Sequence, residues 1–168
     1  RLDPTRDAAL LGAVEHLGVR VVWVTTWEVQ ANVSPGPLLG LGPRDVVAVH
    51  RWFSPGGSVY GDSPVAAKAS ALDECFPSVP VLWLDDDAYY VARSWARPPD
   101  RAVRSPAARV GLTAADREFV VRWCAERTGV PCPDPLGMLA SAYPLDASPR
   151  PWREYTPEGF VVHSSPGV

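Results

Sequence analysis

The chain has 168 residues, 46% of them hydrophobic and 21% charged, with a formal net charge of −3. That suits one globular domain with a substantial core and excludes a fibrous or wholly disordered chain. No basic block is interleaved with aromatics, which argues against direct nucleic-acid binding, and the longest apolar runs, such as Val21–Trp27, fall far short of the ~18 residues of a membrane span.

Asp3 followed by Pro4 reads as an N-cap and first helical position, and Leu10, Leu11, Val14 and Leu17 then share one helical face before Gly18. This predicts a helix over 4–17. Arg20–Thr25 follows with Val21, Val22, Trp23 and Val24 uninterrupted, the pattern of a strand covered on both faces of a parallel sheet, and Val46–Val49 is a second such strand. Between them Trp27–Leu41 begins helix-like and is broken by Pro35, Gly36 and Pro37, giving a short helix and a loop.

Residues 54–62 read as a loop. Ser63–Pro64 repeats the cap signature, and Val65, Ala69, Leu72 and Phe76 make the buried stripe of a helix that carries Lys68. A strand over 79–84 comes next and ends in Asp85–Asp86–Asp87, beyond which a helix over 88–96 is expected. Thr113 and Asp116 resemble a capping box opening a helix with Phe119, Val120, Trp123 and Cys124 on its buried face and Gly129 as its stop.

From Pro131 the character changes: eight prolines fall in the last 38 residues with no sustained periodicity, so residues 130–168 are expected to be an irregular or disordered tail. Helices alternating with fully apolar strands indicate a layered α/β sheet, whose ligands sit beyond the carboxyl ends of the strands.

Three carboxylates packed as closely as Asp85, Asp86 and Asp87 repel one another and ask for a cation, a helix N-terminus or open water. Aspartates after a strand also commonly cap the next helix. Thr25 and Thr26 end the first strand, and Lys68 is the sole lysine against fifteen arginines. Such a bias suggests that a compact point charge serves where a planar fork does not. Cys75, Cys124 and Cys132 lack zinc-ligand spacing and are expected to be reduced thiols, and His16, His50 and His163 match no ligand or triad pattern. No GxGxxG or GxxxxGK[ST] occurs.

Taken in order, these features resemble the haloacid dehalogenase-like (HAD) superfamily of phosphohydrolases, where a hydroxyl follows strand two, a lysine precedes strand four and paired acids end strand four. More narrowly, Val22–Glu28 with Ala31–Asn32 and Leu39–Gly40–Leu41, then Trp83–Asp86, Trp95–Ala96 and Gly111–Leu112–Thr113, look like the HAD domains of actinobacterial proteins related to those in Swiss Army Knife RNA repair proteins. A phospho-acceptor receiver domain also combines acids, a hydroxyl and a lysine, but with the acids first and the lysine last.

The resemblance implies a three-layer Rossmann-like α/β fold with a parallel sheet over residues 1–129 and a small or absent cap, because the segment from Thr26 to Lys68 is short. It implies that Thr25 donates a hydrogen bond to a phosphate oxygen, Lys68 offsets charge on the transferring group, and Asp85 and Asp86 hold Mg²⁺. The superfamily's nucleophile and general acid lie in a DxD motif ending strand one, and Asp3 and Asp7, in a helix start, do not replace it. Residue 1 is Arg and the only methionine is Met138, so the chain is expected to be a piece of a longer protein with that first strand missing. In the family that strand lies between those ending here at Thr25 and Leu84.

The expected function is therefore a magnesium-dependent phosphohydrolase domain, cytoplasmic and without a membrane partner, inactive in these residues alone. A catalytically silent binding or scaffold domain is the alternative. The phosphorylated substrate is not specified by the sequence, although an open site admits bulky ones, nucleic-acid ends included.

Overall fold

The computed structural model describes residues 4–53, 58, 60–97, 99–141, 143–145, 148, 150–156 and 159–164. The expected cap at Asp3, and residues 54–57 and 59 of the expected loop, lie outside them.

In chain order the elements are α1 (Pro4–His16), β1 (Val22–Val24), α2 (Pro35–Leu38), β2 (Asp45–Val47), α3 (Pro64–Cys75), β3 (Val81–Leu84), α4 (Ala92–Trp95), β4 (Arg101–Arg104), α5 (Ala114–Thr128), α6 (Pro135–Ala140), β5 (Trp152–Thr156) and β6 (Gly159–His163). Short 3₁₀ turns at Glu28–Asn32, Val49–Trp52 and Ala88–Tyr90 follow β1, β2 and β3.

The strands form a four-stranded sheet in the order β1-β2-β5-β6 and a separate pair β3-β4. All the pairings are parallel except that of β5 with β6. The alternation of each strand sends its side chains into two helical layers. Val21, Leu82, Leu84 and Ala102 pack on Leu10, Val14, Val121 and Cys124 of α1 and α5. Val22, Val24, Val47, Val81, Trp83 and Val103 face the other way, toward α3 and α4. Both sheets thus lie between the same helices, yet among the described residues no ladder joins β1 to β3.

The consequence is visible in burial. All three residues of β2, Asp45 included, are buried, whereas Val22, Trp23 and Val24 of the more apolar β1 are only half-buried.

The cap signatures hold. Ser63 Oγ accepts from the Ala66 N–H with Pro64 in the first turn. Thr113 and Asp116 form a reciprocal capping box, and Gly129 closes α5 at φ 71°, a left-handed conformation that costs glycine little.

The segment expected as an irregular tail is a correction. It contains α6 and a β-hairpin, and β5 pairs with β2 through Val46–Glu154 and Val47–Tyr155. The prolines flank these elements and do not interrupt them: Pro135 opens α6 behind the Asp134 cap, and no proline lies within Trp152–Thr156 or Gly159–His163, as pairing demands. Tyr155 also packs edge-on against Phe76.

Two further elements differ from expectation. The helix expected over 88–96 is a 3₁₀ turn followed by a single turn of α4. β4 was not foreseen, because arginines bound its two apolar residues, Ala102 and Val103. In addition, Asn32 joins the β1 side to β2 by accepting from the Arg44 N–H and donating to the Arg44 carbonyl, both at 2.8 Å.

Candidate functional site at the carboxyl ends of β1 and β3

The orientation of β3 follows from α3. Phe53, just past β2, lines a depression with Ser63 and Pro64, where the N-terminal half of α3 begins, and β1 runs parallel to β2 with its following turn tied to that of β2 by Glu28 and His50. Lys68, in that same N-terminal half, reaches Asp85 at the end of β3. The carboxyl ends of β1, β2 and β3 therefore share one side of the molecule.

On that side Lys68 and Asp85, 17 positions apart, make the central contact: Nζ donates to Oδ2 at 2.5 Å with the side chains 14% and 8% exposed. Val65, Ala71 and Leu72, three and four positions from Lys68 on its own helix face, are buried, so the ammonium is the polar tip of a packed helix face. Asp85 Oδ1 accepts from the Asp87 N–H at 2.9 Å. Both oxygens of Asp85 are thus engaged.

Oxygens of Asp85, Asp86 and Asp87 lie within 4.8 Å of one another, and Asp86 and Asp87 are exposed. Asp87 makes no side-chain cap bond to the following 3₁₀ turn, whereas Asp85 caps the turn that precedes it through the Asp87 N–H. Hard carboxylate oxygens are the donor type that Mg²⁺ takes. The donor set fits that ion in kind, with Asp86 and Asp87 open to it and Asp85 shared with Lys68.

Thr25 stands on the same side but is not drawn into the pair. Its Oγ1 accepts from the Trp27 N–H at 3.3 Å and its carbonyl accepts from the Glu28 N–H at 3.0 Å. The hydroxyl oxygen thus accepts within its own turn, which leaves the O–H as a donor. Lys68 and Asp85 meet, Asp86 lies beside them, and Thr25 is neighbouring but separate.

Sequence reasoning missed two supports. Ser105, just past β4, donates to the Asp85 and Asp86 carbonyls at 2.8 and 2.9 Å, and its Oγ accepts from the Tyr89 N–H at 3.2 Å. Recognition of β4 would have located it. Glu28 has φ 49°, the one non-glycine with positive φ among the described residues. Its carboxylate accepts from the His50 N–H at 2.9 Å and meets the His50 ring Nδ1, tying the turn after β1 to the turn after β2. No sequence signal announces either feature of Glu28.

Aromatic rings crowd this side. Of the five exposed aromatic residues among those described, Trp27, Phe53, Tyr89 and Tyr90 follow β1, β2 and β3, and only Phe160 lies elsewhere. Tyr89 and Tyr90 stack with centroids 3.9 Å apart and planes tilted by 34°. The Tyr89 phenol is pushed up to about 12, first by its hydrogen bond with Tyr90, then by desolvation and the neighbouring Tyr90 and Asp87.

The surface beside the site is shallow: a depression of about 160 Å³ lies between Trp52, Phe53, Gly61 and Asp62 and the Ser63–Pro64 start of α3. A larger groove of about 420 Å³ opens at the other end of the strands, near Arg20, Asp45, Arg150 and Arg153. Arg20 and Asp45 are paired there, and Arg150 donates to the Pro43 carbonyl. Burial pushes the Cys75 thiol up to about 11, with Glu74 adding, and the Cys124 thiol up to about 12. Comparison with protein-family models, curated proteins and solved structures gave no match.

Proposed function

We propose that this chain is the greater part of a HAD-like, magnesium-dependent phosphohydrolase domain, whose phosphate site lies at the carboxyl ends of β1 and β3. The observation that carries the reading is the Lys68–Asp85 contact, in which the only lysine of the chain meets the first acid of the triplet at a strand end.

Phosphoryl transfer asks mainly for positioning and for neutralisation of charge on the equatorial oxygens. In this reading Lys68 supplies a fixed positive charge, Asp85 and Asp86 hold Mg²⁺ with Asp87 beside them, and Thr25 donates its O–H while its oxygen accepts from the Trp27 N–H. When bound, Mg²⁺ supplies charge stabilisation on phosphate oxygens. No residue is assigned as nucleophile, so the 168 residues alone are expected to bind Mg²⁺ without turning over phosphate esters. The break in pairing between β1 and β3, inside one pair of helical layers, supports the reading, because the family's first strand belongs between those two.

One observation favours a silent binding domain instead: Asp85 is already satisfied by Lys68 and by the Asp87 N–H. Titration of the chain with Mg²⁺ by calorimetry separates the two. Saturable binding that disappears in the Asp85→Asn, Asp86→Asn double variant is expected, and no saturable binding, or binding unchanged in that variant, rejects the metal assignment.

A further inference from the structure

We propose that the ligand of this site is a phosphate ester whose alcohol carries a planar aromatic ring, held by stacking on Trp27, Tyr89 and Tyr90. The inference rests on the phosphate reading above and goes beyond it by naming the substrate class.

The rings are placed by the same atoms that place the polar pair. Ser105 Oγ lies 2.8 Å from the Asp85 carbonyl and 3.2 Å from the Tyr89 N–H, while Asp85 holds Lys68 at 2.5 Å. One hydroxyl therefore fixes the stacked tyrosines against the acid turn. On the other flank Trp27, 56% exposed, sits between Thr25, which caps its N–H, and Glu28, whose positive φ is held by His50. A non-glycine in that conformation persists only where its surroundings over-determine it, and such positions cluster at ligand clamps.

Exposed aromatics scattered singly need no explanation. Four of five gathered on the side of the molecule that holds the sole lysine and the acid triplet do. Ring faces stack on bases and aryl groups with little regard to their substituents, whereas a plain sugar phosphate offers no ring to match them.

The test is calorimetric binding of AMP, phenyl phosphate, ribose 5-phosphate and inorganic phosphate to the chain in Mg²⁺. AMP or phenyl phosphate is expected to bind at least about tenfold tighter than ribose 5-phosphate, the scale of one stacked ring. The tighter of the two identifies a nucleobase or an aryl group as the natural ring. Trp27→Ala and the Tyr89→Ala, Tyr90→Ala double variant are expected to remove this preference while leaving ribose 5-phosphate affinity unchanged. Equal affinities for AMP, phenyl phosphate and ribose 5-phosphate overturn the ring inference and leave the phosphate site standing, as does a preference that survives both variants. Failure of all four probes to bind overturns the phosphate reading and this inference together.

Discussion

At the scale of single residues, the Lys68–Asp85 pair dominates because both charges are nearly withdrawn from water. Breaking such a pair from one side strands the other charge, which costs more than the pair contributes as a whole. Lys68→Ala is expected to destabilise the chain by ~2 kcal/mol, below the ~3–5 kcal/mol of fully buried pairs because 14% of the lysine and 8% of the aspartate side chain still touch solvent. The Lys68→Ala, Asp85→Ala double variant should cost less than the sum of the singles in urea unfolding. Additive costs would mean that the contact carries no coupling. This pair was legible in the sequence because one lysine among fifteen arginines and a strand ending in acids are both conspicuous. The turn of Thr25 was not, since which partner a strand-end hydroxyl takes depends on the backbone after it, here the unusual φ of Glu28.

At the scale of elements, capping decides where α3 and α5 begin. Burial pushes the Asp116 carboxyl up, but hydrogen bonds from Thr113 and the charges of Arg104 and Arg117 outweigh it and hold the group below the usual carboxylate range. A folded-state value below the unfolded one of ~3.9 means that Asp116 stabilises the fold fully above that pH and loses its contribution as pH falls toward the folded value. Asp116→Asn is therefore expected to lower stability at pH 7 and to differ progressively less from the parent as the pH drops through 4, followed by thermal unfolding. A difference that grows on acidification contradicts this assignment. Thr113→Ala should cost ~1 kcal/mol through the same box. Caps and apolar strands read correctly from the sequence because their signals are local. The hairpin of β5 and β6 did not, because proline density was weighed as composition, whereas the position of each proline relative to Trp152–Thr156 decides whether a strand survives. β4 escaped for a related reason: Arg101 and Arg104 leave it no alternating signature.

At the scale of the whole molecule, two sheets share helical layers on both faces without pairing to each other among the described residues. The layered α/β organisation was legible, since helix-period and strand-period stretches alternate along the chain. The break between β1 and β3 shows instead in the half-buried side chains of β1 and of Val81, Leu82 and Leu84 in β3, and in edges left unpaired among the described residues. Native-state hydrogen exchange should reflect it: β2, paired on both sides by β1 and β5, is expected to exchange slowest, and β1 and β3 faster from their free edges. Uniform protection across all three strands would show that the break is closed in solution.

The rarity of lysine has a practical corollary. Apart from the α-amine, the chain offers amine-selective chemistry a single target, and that target is the ammonium bonded to Asp85. Reductive methylation with a carbon-13 label would place one NMR beacon beside the acid triplet, so that cation or anion arrival could be watched there without a signal from any other side chain.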